Sequence, residues 1–210
     1  MIQKVIHIII YKCILKNILR IFIGVKFYSN SELENIEKFI LVANHNSHLD
    51  TISILSSLPN SCYAKVKIVA AEDYFGKNKL QSWFSNFFIN TILIKRNRDK
   101  ENIENDPIYK MNKALQKYSL LIFPEGTRGS AEKEIEFKAG VALLLIENPQ
   151  IPYIPIYMKN MGKIMPKGDG LIVPIESEIV YGKPTYIESN SVSEILSKMK
   201  HDIYSLKKQI

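Results

Sequence analysis

The segment Asn44-His45-Asn46-Ser47-His48-Leu49-Asp50 places an imidazole and a carboxylate five positions apart, directly after the apolar run Phe39 to Ala43. On one continuous helix the side chains of His45 and Asp50 would point about 140° apart at 3.6 residues per turn, so they meet only if the chain turns between them. A strand ending at Asn44, a turn through Asn46 and Ser47, and a helix starting near Leu49 would fold Asp50 back under the ring. The carboxylate then accepts the Nδ1 proton, fixes the tautomer and leaves Nε2 as a base. An alcohol is barely ionised at neutral pH, so removing its proton during attack is worth about 10² to 10⁴ in rate. His48 is a rival base, but positions two apart on a helix do not face each other, and it pairs poorly with Asp50. The plainer reading of the same residues is a histidine packed at a helix start, with Asp50 complementing the helix dipole. Two histidines and a carboxylate can also hold zinc or iron. With four histidines in the chain and no second acidic cluster nearby, no metal is expected.

A second group, Phe123-Pro124-Glu125-Gly126-Thr127-Arg128, follows the apolar run Ser119 to Ile122. Gly126 gives the backbone freedom, Arg128 offers a planar fork suited to a phosphate, and Thr127 adds a hydroxyl. Glu125 would repel a phosphate directly, so it is expected to orient Arg128 or a substrate hydroxyl. Lys95-Arg96 closes the run Thr91 to Ile94 with more positive charge, although Arg98 and Lys100 make a solvated basic run an alternative. A base beside an anion binder points to chemistry on a phosphorylated alcohol.

The elements that must hold these groups are read from the apolar pattern. Phe39 to Ala43, Lys67 to Ala71, Thr91 to Ile94, Leu120 to Phe123, Ile151 to Met158 and Glu178 to Tyr181 read as strands. Thr51 to Leu58, Leu80 to Phe88 and Lys138 to Glu147 read as helices, as does a segment capped by Asp106, opened by Pro107 and ending near Lys117. Ser191 to Glu194 reads as a capping box opening a last amphipathic helix. Strands alternating with helices imply an α/β fold, a single domain whose mixed sheet is covered by helices. Sites in such folds collect where strands end and helices begin.

At 210 residues the chain suits one such domain, and its 46% apolar and 23% charged content is ordinary for a folded protein. Cys13 and Cys62 have neither zinc-ribbon nor redox spacing and are expected to be reduced, in a cytosolic compartment. Of the net charge of +7, most sits in residues 1–30, which carry Lys4, Lys12, Lys16, Arg20 and Lys26 and no acid. Lys12, Lys16 and Arg20 recur every fourth residue, so on a helix they form one stripe, with isoleucines and leucines covering the rest. The longest uncharged apolar stretch, Val5 to Tyr11, is far short of the roughly 18 to 20 residues that cross a bilayer. Residues 1–30 are therefore expected to be a basic amphipathic helix lying in the membrane interface, and residues 31–210 the globular domain. Packing on the domain and a secretory signal are the competing readings, the second weakened because no small-residue cleavage site follows. Nucleic acid is not an expected partner, because the positive charge sits among isoleucines rather than on a polar face.

Four blocks in order resemble the glycerolipid acyltransferase family that includes 1-acylglycerol-3-phosphate acyltransferase. They are Asn44 to Asp50, matching a His-x4-Asp signature, Thr91-Ile92-Leu93-Ile94-Lys95-Arg96, Phe123 to Arg128, and Ile151-Pro152-Tyr153-Ile154-Pro155-Ile156. The resemblance implies His45 as base and Asp50 as its partner, with Arg96, Glu125, Gly126, Thr127 and Arg128 holding the glycerol phosphate of the acceptor. It also implies acyl transfer from acyl-CoA or acyl carrier protein to lysophosphatidic acid, giving phosphatidic acid, without a cofactor, at the cytoplasmic face of a membrane. Other acceptors on the same chemistry are glycerol 3-phosphate, another lysophospholipid or a lyso-aminolipid. A catalytically silent lipid-binding protein is the alternative of a different class. Two positions depart from the family pattern: Lys95 stands where an acidic residue often precedes the arginine, and Gly129 where serine is frequent.

Overall fold

The computed structural model describes residues 2–28, 30–63, 65–75, 90–98, 102–129, 135–165 and 172–209. Among them, seven strands form one sheet: β1 (Val25–Phe27), β2 (Ile40–Ala43), β3 (Val66–Ala71), β4 (Thr91–Ile94), β5 (Ser119–Ile122), β6 (Tyr153–Lys159) and β7 (Ser177–Tyr181), in the order β1-β7-β6-β2-β5-β3-β4. The five strands from β6 to β4 run parallel, with Leu41 of β2 opposite both Leu121 and Ile154. β7 runs antiparallel to β6 and parallel to β1. The carboxyl ends of β2, β4, β5 and β6 thus share one edge of the sheet with the starts of β1 and β7.

Parallel strands are covered on both faces, which is why they appear in sequence as unbroken apolar runs rather than alternations. Leu41, Ala43, Leu121, Ile154 and Ile156 point to one face, where they pack with Ile54 and Leu58 and with Leu19 and Ile23. Ile40, Val42, Leu120 and Ile122 point to the other, where they meet Met111, Val141 and Met199. Leu41 and Ile40 are wholly buried, and each such side chain stabilises the fold by about 1.5–3 kcal/mol relative to an exposed one.

The helices are α1 (residues 2–23), α2 (Asp50–Ser57), α3 (Glu72–Phe75), α4 (Pro107–Leu115), α5 (Gly140–Glu147), α6 (Met161–Ile164) and α7 (Val192–Ser205). Most sequence-read boundaries hold to within two residues, and Asp106 caps α4 by accepting from Ile108 N at 2.9 Å and Tyr109 N at 3.2 Å. The helix expected over Leu80 to Phe88 lies outside the described residues. The capping box at Ser191 does not form as expected. Ser191 makes no side-chain cap bond, and the Glu194 carboxylate instead accepts from Ser189 Oγ at 2.6 Å.

A helix is present at the amino terminus, but it ends at Ile23, short of residue 30. It alternates α-helical turns (Ile2–Ile8, Lys16–Ile18) with π-helical ones (Ile9–Leu15, Leu19–Ile23) and closes at Gly24, whose φ of 87° is a left-handed conformation costing an L side chain about 1–2 kcal/mol. Within the 1–30 segment the chain then enters the sheet as β1, so those residues are tied to the domain rather than appended to it. Tyr11, Leu19 and Ile23 are buried against the domain, and Lys12 Nζ donates to the Ser56 carbonyl at 3.2 Å. Val5, Ile9, Ile14, Ile18, Ile21 and Phe22 remain exposed, an apolar surface left outward on a helix that also packs inward. Among the described residues no helix is long and apolar enough to cross a membrane.

Candidate active site

β2 ends in the motif loop, and the loop is pinned from several sides. The Asn44 amide bonds the backbone of Met158 in both directions, Nδ2 donating to Met158 O at 3.0 Å and Oδ1 accepting from Met158 N at 2.8 Å. His45 O accepts from Gly129 N at 2.9 Å, and Ser47 Oγ donates to Met165 O at 3.1 Å. The turn expected through Asn46 and Ser47 falls slightly later, at His48 and Leu49, where Asp50 N donates to Ser47 O at 3.4 Å, and α2 begins at Asp50.

That turn brings His45 and Asp50 together, with Nδ1 of the ring 2.9 Å from Asp50 Oδ2. The same oxygen accepts from Asn46 N at 2.7 Å and Ser47 N at 2.8 Å. Two backbone donors aimed at Oδ2 hold it as an acceptor, so the ring completes the set by donating from Nδ1 and keeps its lone pair on Nε2. Asp50 is fully buried and the His45 side chain is 19% exposed. Phe123 stacks on the imidazole with centroids 4.1 Å apart and planes 20° from parallel, which fixes the ring's second rotational freedom.

The second motif lies across from the first, after β5. Gly126 has φ 67°, and a Cβ there would come within 2.9 Å of the Lys138 side chain. Arg96 at the end of β4 reaches this loop, Nη1 donating to Gly126 O at 2.7 Å and Nε to Asp73 Oδ2 at 2.9 Å. Arg128 contacts His48 Nε2 through Nη1. His48 therefore serves the arginine rather than Asp50, and burial, with the Arg128 charge second, holds the pKa of its imidazole below the ordinary value. Gly129 is confined by geometry too: a Cβ would lie 2.7 Å from Ile135 Cδ1 and 3.1 Å from Asn46 Oδ1, so a serine would displace its neighbours.

Glu125 departs from the sequence reading, which aimed it at Arg128 or a substrate hydroxyl. It is 1% exposed and turned inward, where Oε1 accepts from His45 N at 3.2 Å. Burial, reinforced by the nearby Asp50 carboxylate, pushes its pKa up to about 7, against the pull of the His45 N–H. A carboxyl there holds the backbone of His45. No local sequence signal marks that burial.

His45, His48, Arg96, Gly126, Thr127 and Arg128 all line one cavity of about 410 Å³. Lys95, Arg98 and Lys138 add positive charge around it, and sequence reasoning had not singled out the last. Away from the charged end the lining turns apolar, with Ile68, Ala70, Ile108, Met111, Ile122 and Val141 between the β3–β4 side of the sheet and helices α4 and α5. The arrangement combines a carboxylate-bonded imidazole, a cationic rim and an apolar interior. That suits an amphiphile with an anionic head.

Comparison with known proteins gives a family and a fold. A family profile described as Acyltransferase matches residues 24–159. The chain is 29% identical over 126 residues to the 1-acyl-sn-glycerol-3-phosphate acyltransferase alpha of Mus musculus, covering 59% of this chain and 41% of that one. It is 28% identical over 141 residues to the 1-acyl-sn-glycerol-3-phosphate acyltransferase of Saccharomyces cerevisiae, covering 63% and 43%. The chain thus spans less than half the length of these curated relatives. Its fold matches the crystal structure of the 1-acyl-sn-glycerophosphate (LPA) acyltransferase PlsC of Thermotoga maritima with a TM-score of 0.69, covering 90% of this chain and 73% of that one at 20% identity.

Proposed function

Because the chain belongs to the acyltransferase family, matched over residues 24–159, we propose that it transfers an acyl group from acyl-CoA or acyl carrier protein to the free hydroxyl of 1-acylglycerol 3-phosphate, giving phosphatidic acid. The observation that carries this reading is the single Asp50 oxygen shared by the His45 ring and two backbone N–H groups, which supports the tautomer that leaves Nε2 as the proton acceptor.

In this reaction Nε2 of His45 takes the proton of the acceptor hydroxyl as its oxygen attacks the thioester carbonyl. The carbonyl oxygen becomes an oxyanion, the new C–O bond is complete, and the C–S bond then breaks. The departing thiolate recovers the proton from the imidazolium, which returns His45 to its starting form. Asp50 stabilises the imidazolium between the two proton transfers. A thioester is already activated, so placement, proton transfer and charge stabilisation suffice, and no cofactor is needed. Arg128, with Thr127 and Arg96, faces the phosphate of the acceptor, since a guanidinium fork gives charge-assisted paired bonds to phosphate oxygens. Acyl chains occupy the apolar interior lined by Met111, Ile122 and Val141. The exposed apolar side of α1 keeps the chain at the bilayer surface as a peripheral protein.

The relatives named for 1-acyl-sn-glycerol-3-phosphate support the choice of acceptor. The test is turnover across an acceptor panel of lysophosphatidic acid, glycerol 3-phosphate, lysophosphatidylcholine and monoacylglycerol. Lysophosphatidic acid should have the highest kcat/KM, and a higher value for a neutral or zwitterionic acceptor would sink the assignment.

A further inference from the structure

We infer that the Ile172–Val173 loop and the end of α1 at Ile21 and Phe22 form one apolar rim that enters the surface of an anionic phospholipid bilayer and holds the cavity mouth against it. Ile21 and Phe22 are each 70% exposed, and Ile172 and Val173 are 44% and 42% exposed. They come from segments 150 residues apart in sequence, yet the sheet seats them together. β1 and β7 are parallel, with Val25 opposite Ser177, and Ser177 N donates to Gly24 O at 3.3 Å. A Cβ at Gly24 would lie 3.7 Å from Glu176 Cα. The two segments that precede these strands therefore reach the sheet side by side.

They do so at the edge that holds the catalytic loop, because β1 and β7 run against the other five strands. A chain of bonds joins rim to base. Ser47 Oγ donates to Met165 O at 3.1 Å, Val173 N donates to Ile164 O at 2.9 Å, and Asn160 Nδ2 donates to Glu176 O at 3.0 Å. A docked rim thus fixes the depth of His45 relative to the lipid surface.

Charge identifies the occupant. Arg20, Lys26 and Lys163 are exposed around the rim and Lys16 is half-buried beside it, while the Glu176 carboxylate faces Lys26 Nζ at 2.8 Å. Apolar side chains ringed by surplus cations match the acyl boundary beneath anionic headgroups, and a protein partner would need a larger closed apolar patch. The inference rests on the membrane contact proposed above and adds to it a second attachment point that the helix alone does not supply.

The test is flotation of the full chain with phosphatidylcholine vesicles, with and without phosphatidylglycerol. I172S/V173S should bind the anionic vesicles about tenfold more weakly than the unaltered chain, since two partly exposed aliphatic side chains lose their lipid contact. I21S/F22S, altering the other half of the rim, should do the same. Y186S, 53% exposed after β7 at the opposite edge, should bind like the unaltered chain. Unchanged binding of both rim variants overturns the inference and leaves the contact by the rest of α1 standing. Equal loss in Y186S overturns it as well, and equal binding to both vesicle types overturns its anionic part. Failure of the unaltered chain to float with any vesicle overturns both readings. Circular dichroism melts of each variant separate lost docking from lost folding.

Discussion

Replacing Asp50 by asparagine isolates the charge of the pair from its geometry, because one oxygen does all the accepting. Asn46 N and Ser47 N lie 2.7 and 2.8 Å from Oδ2, so they select the amide oxygen of the new residue for that position, and it still meets Nδ1 of His45. The amide NH₂ then occupies the place of Oδ1, a buried atom with no hydrogen-bond partner among the described residues. The tautomer and loop are retained, and the lost quantity is the attraction between a carboxylate and the transient imidazolium. At a charge separation of about 4 Å and an effective dielectric of about 20, that attraction is worth about 4 kcal/mol. Solvent reaching the ring, 19% exposed, takes back part of it. The expected outcome for Asp50→Asn is a fall in kcat of about 10²- to 10³-fold. Asp50→Ala removes the acceptor of three donors and costs stability as well, about 1–3 kcal/mol for each buried N–H left unpaired. Its rate loss therefore mixes folding with chemistry. Thiol release from a long-chain acyl-CoA in the presence of lysophosphatidic acid measures kcat, and thermal melting tracks the fold. An asparagine variant within threefold of the unaltered rate would refute the reasoning, since the carboxylate charge would then have no part in the reaction.

Arg128→Ala should raise the KM for lysophosphatidic acid about 10- to 100-fold, the worth of a hydrogen bond to a charged group, while leaving the turnover of monoacylglycerol unchanged. An equal loss for both acceptors in steady-state kinetics would place the arginine outside phosphate recognition. Glu125, raised to about 7 from an ordinary 4.5, favours folding when protonated. Its contribution is fully present below about 4.5 and is lost as pH rises through about 7, so Glu125→Gln should gain in melting temperature on the unaltered chain between about pH 5 and pH 8. A constant difference across that range contradicts the burial argument. Gly126→Ala should destabilise by about 1–2 kcal/mol, because φ at that residue is 67° and the Lys138 side chain must also move. Its melting temperature should fall by about 2–8 °C, and an unchanged value would contradict the strain.

Much of the fold is legible in the sequence because parallel strands buried on both faces, such as Ile40 to Ala43 and Ser119 to Ile122, leave continuous apolar runs. Strand β1 is not legible. Val25–Phe27 is three residues long and sits inside a basic helical segment, and only its non-local pairing with Ser177–Ile179 makes it a strand. The meeting of His45 and Asp50 follows from a turn that local residues encode, whereas the burial of Glu125 and the stacking of Phe123 on His45 depend on how β2 and β5 lie side by side. The contact of His48 with Arg128 likewise joins residues 80 positions apart. Ser191 shows the opposite error, a local cap signal overridden because Ser189 reaches Glu194 first.

The central claim is that the imidazole of His45 removes the proton of a lipid hydroxyl. Mass spectrometry of lipid products, after incubating the purified chain with lysophosphatidic acid and an acyl thioester, measures it most directly. The unaltered chain should form phosphatidic acid, and His45→Ala, with the same melting temperature and vesicle binding, should form it about 10²- to 10⁴-fold more slowly. Phosphatidic acid formed at the same rate by both proteins would contradict the account.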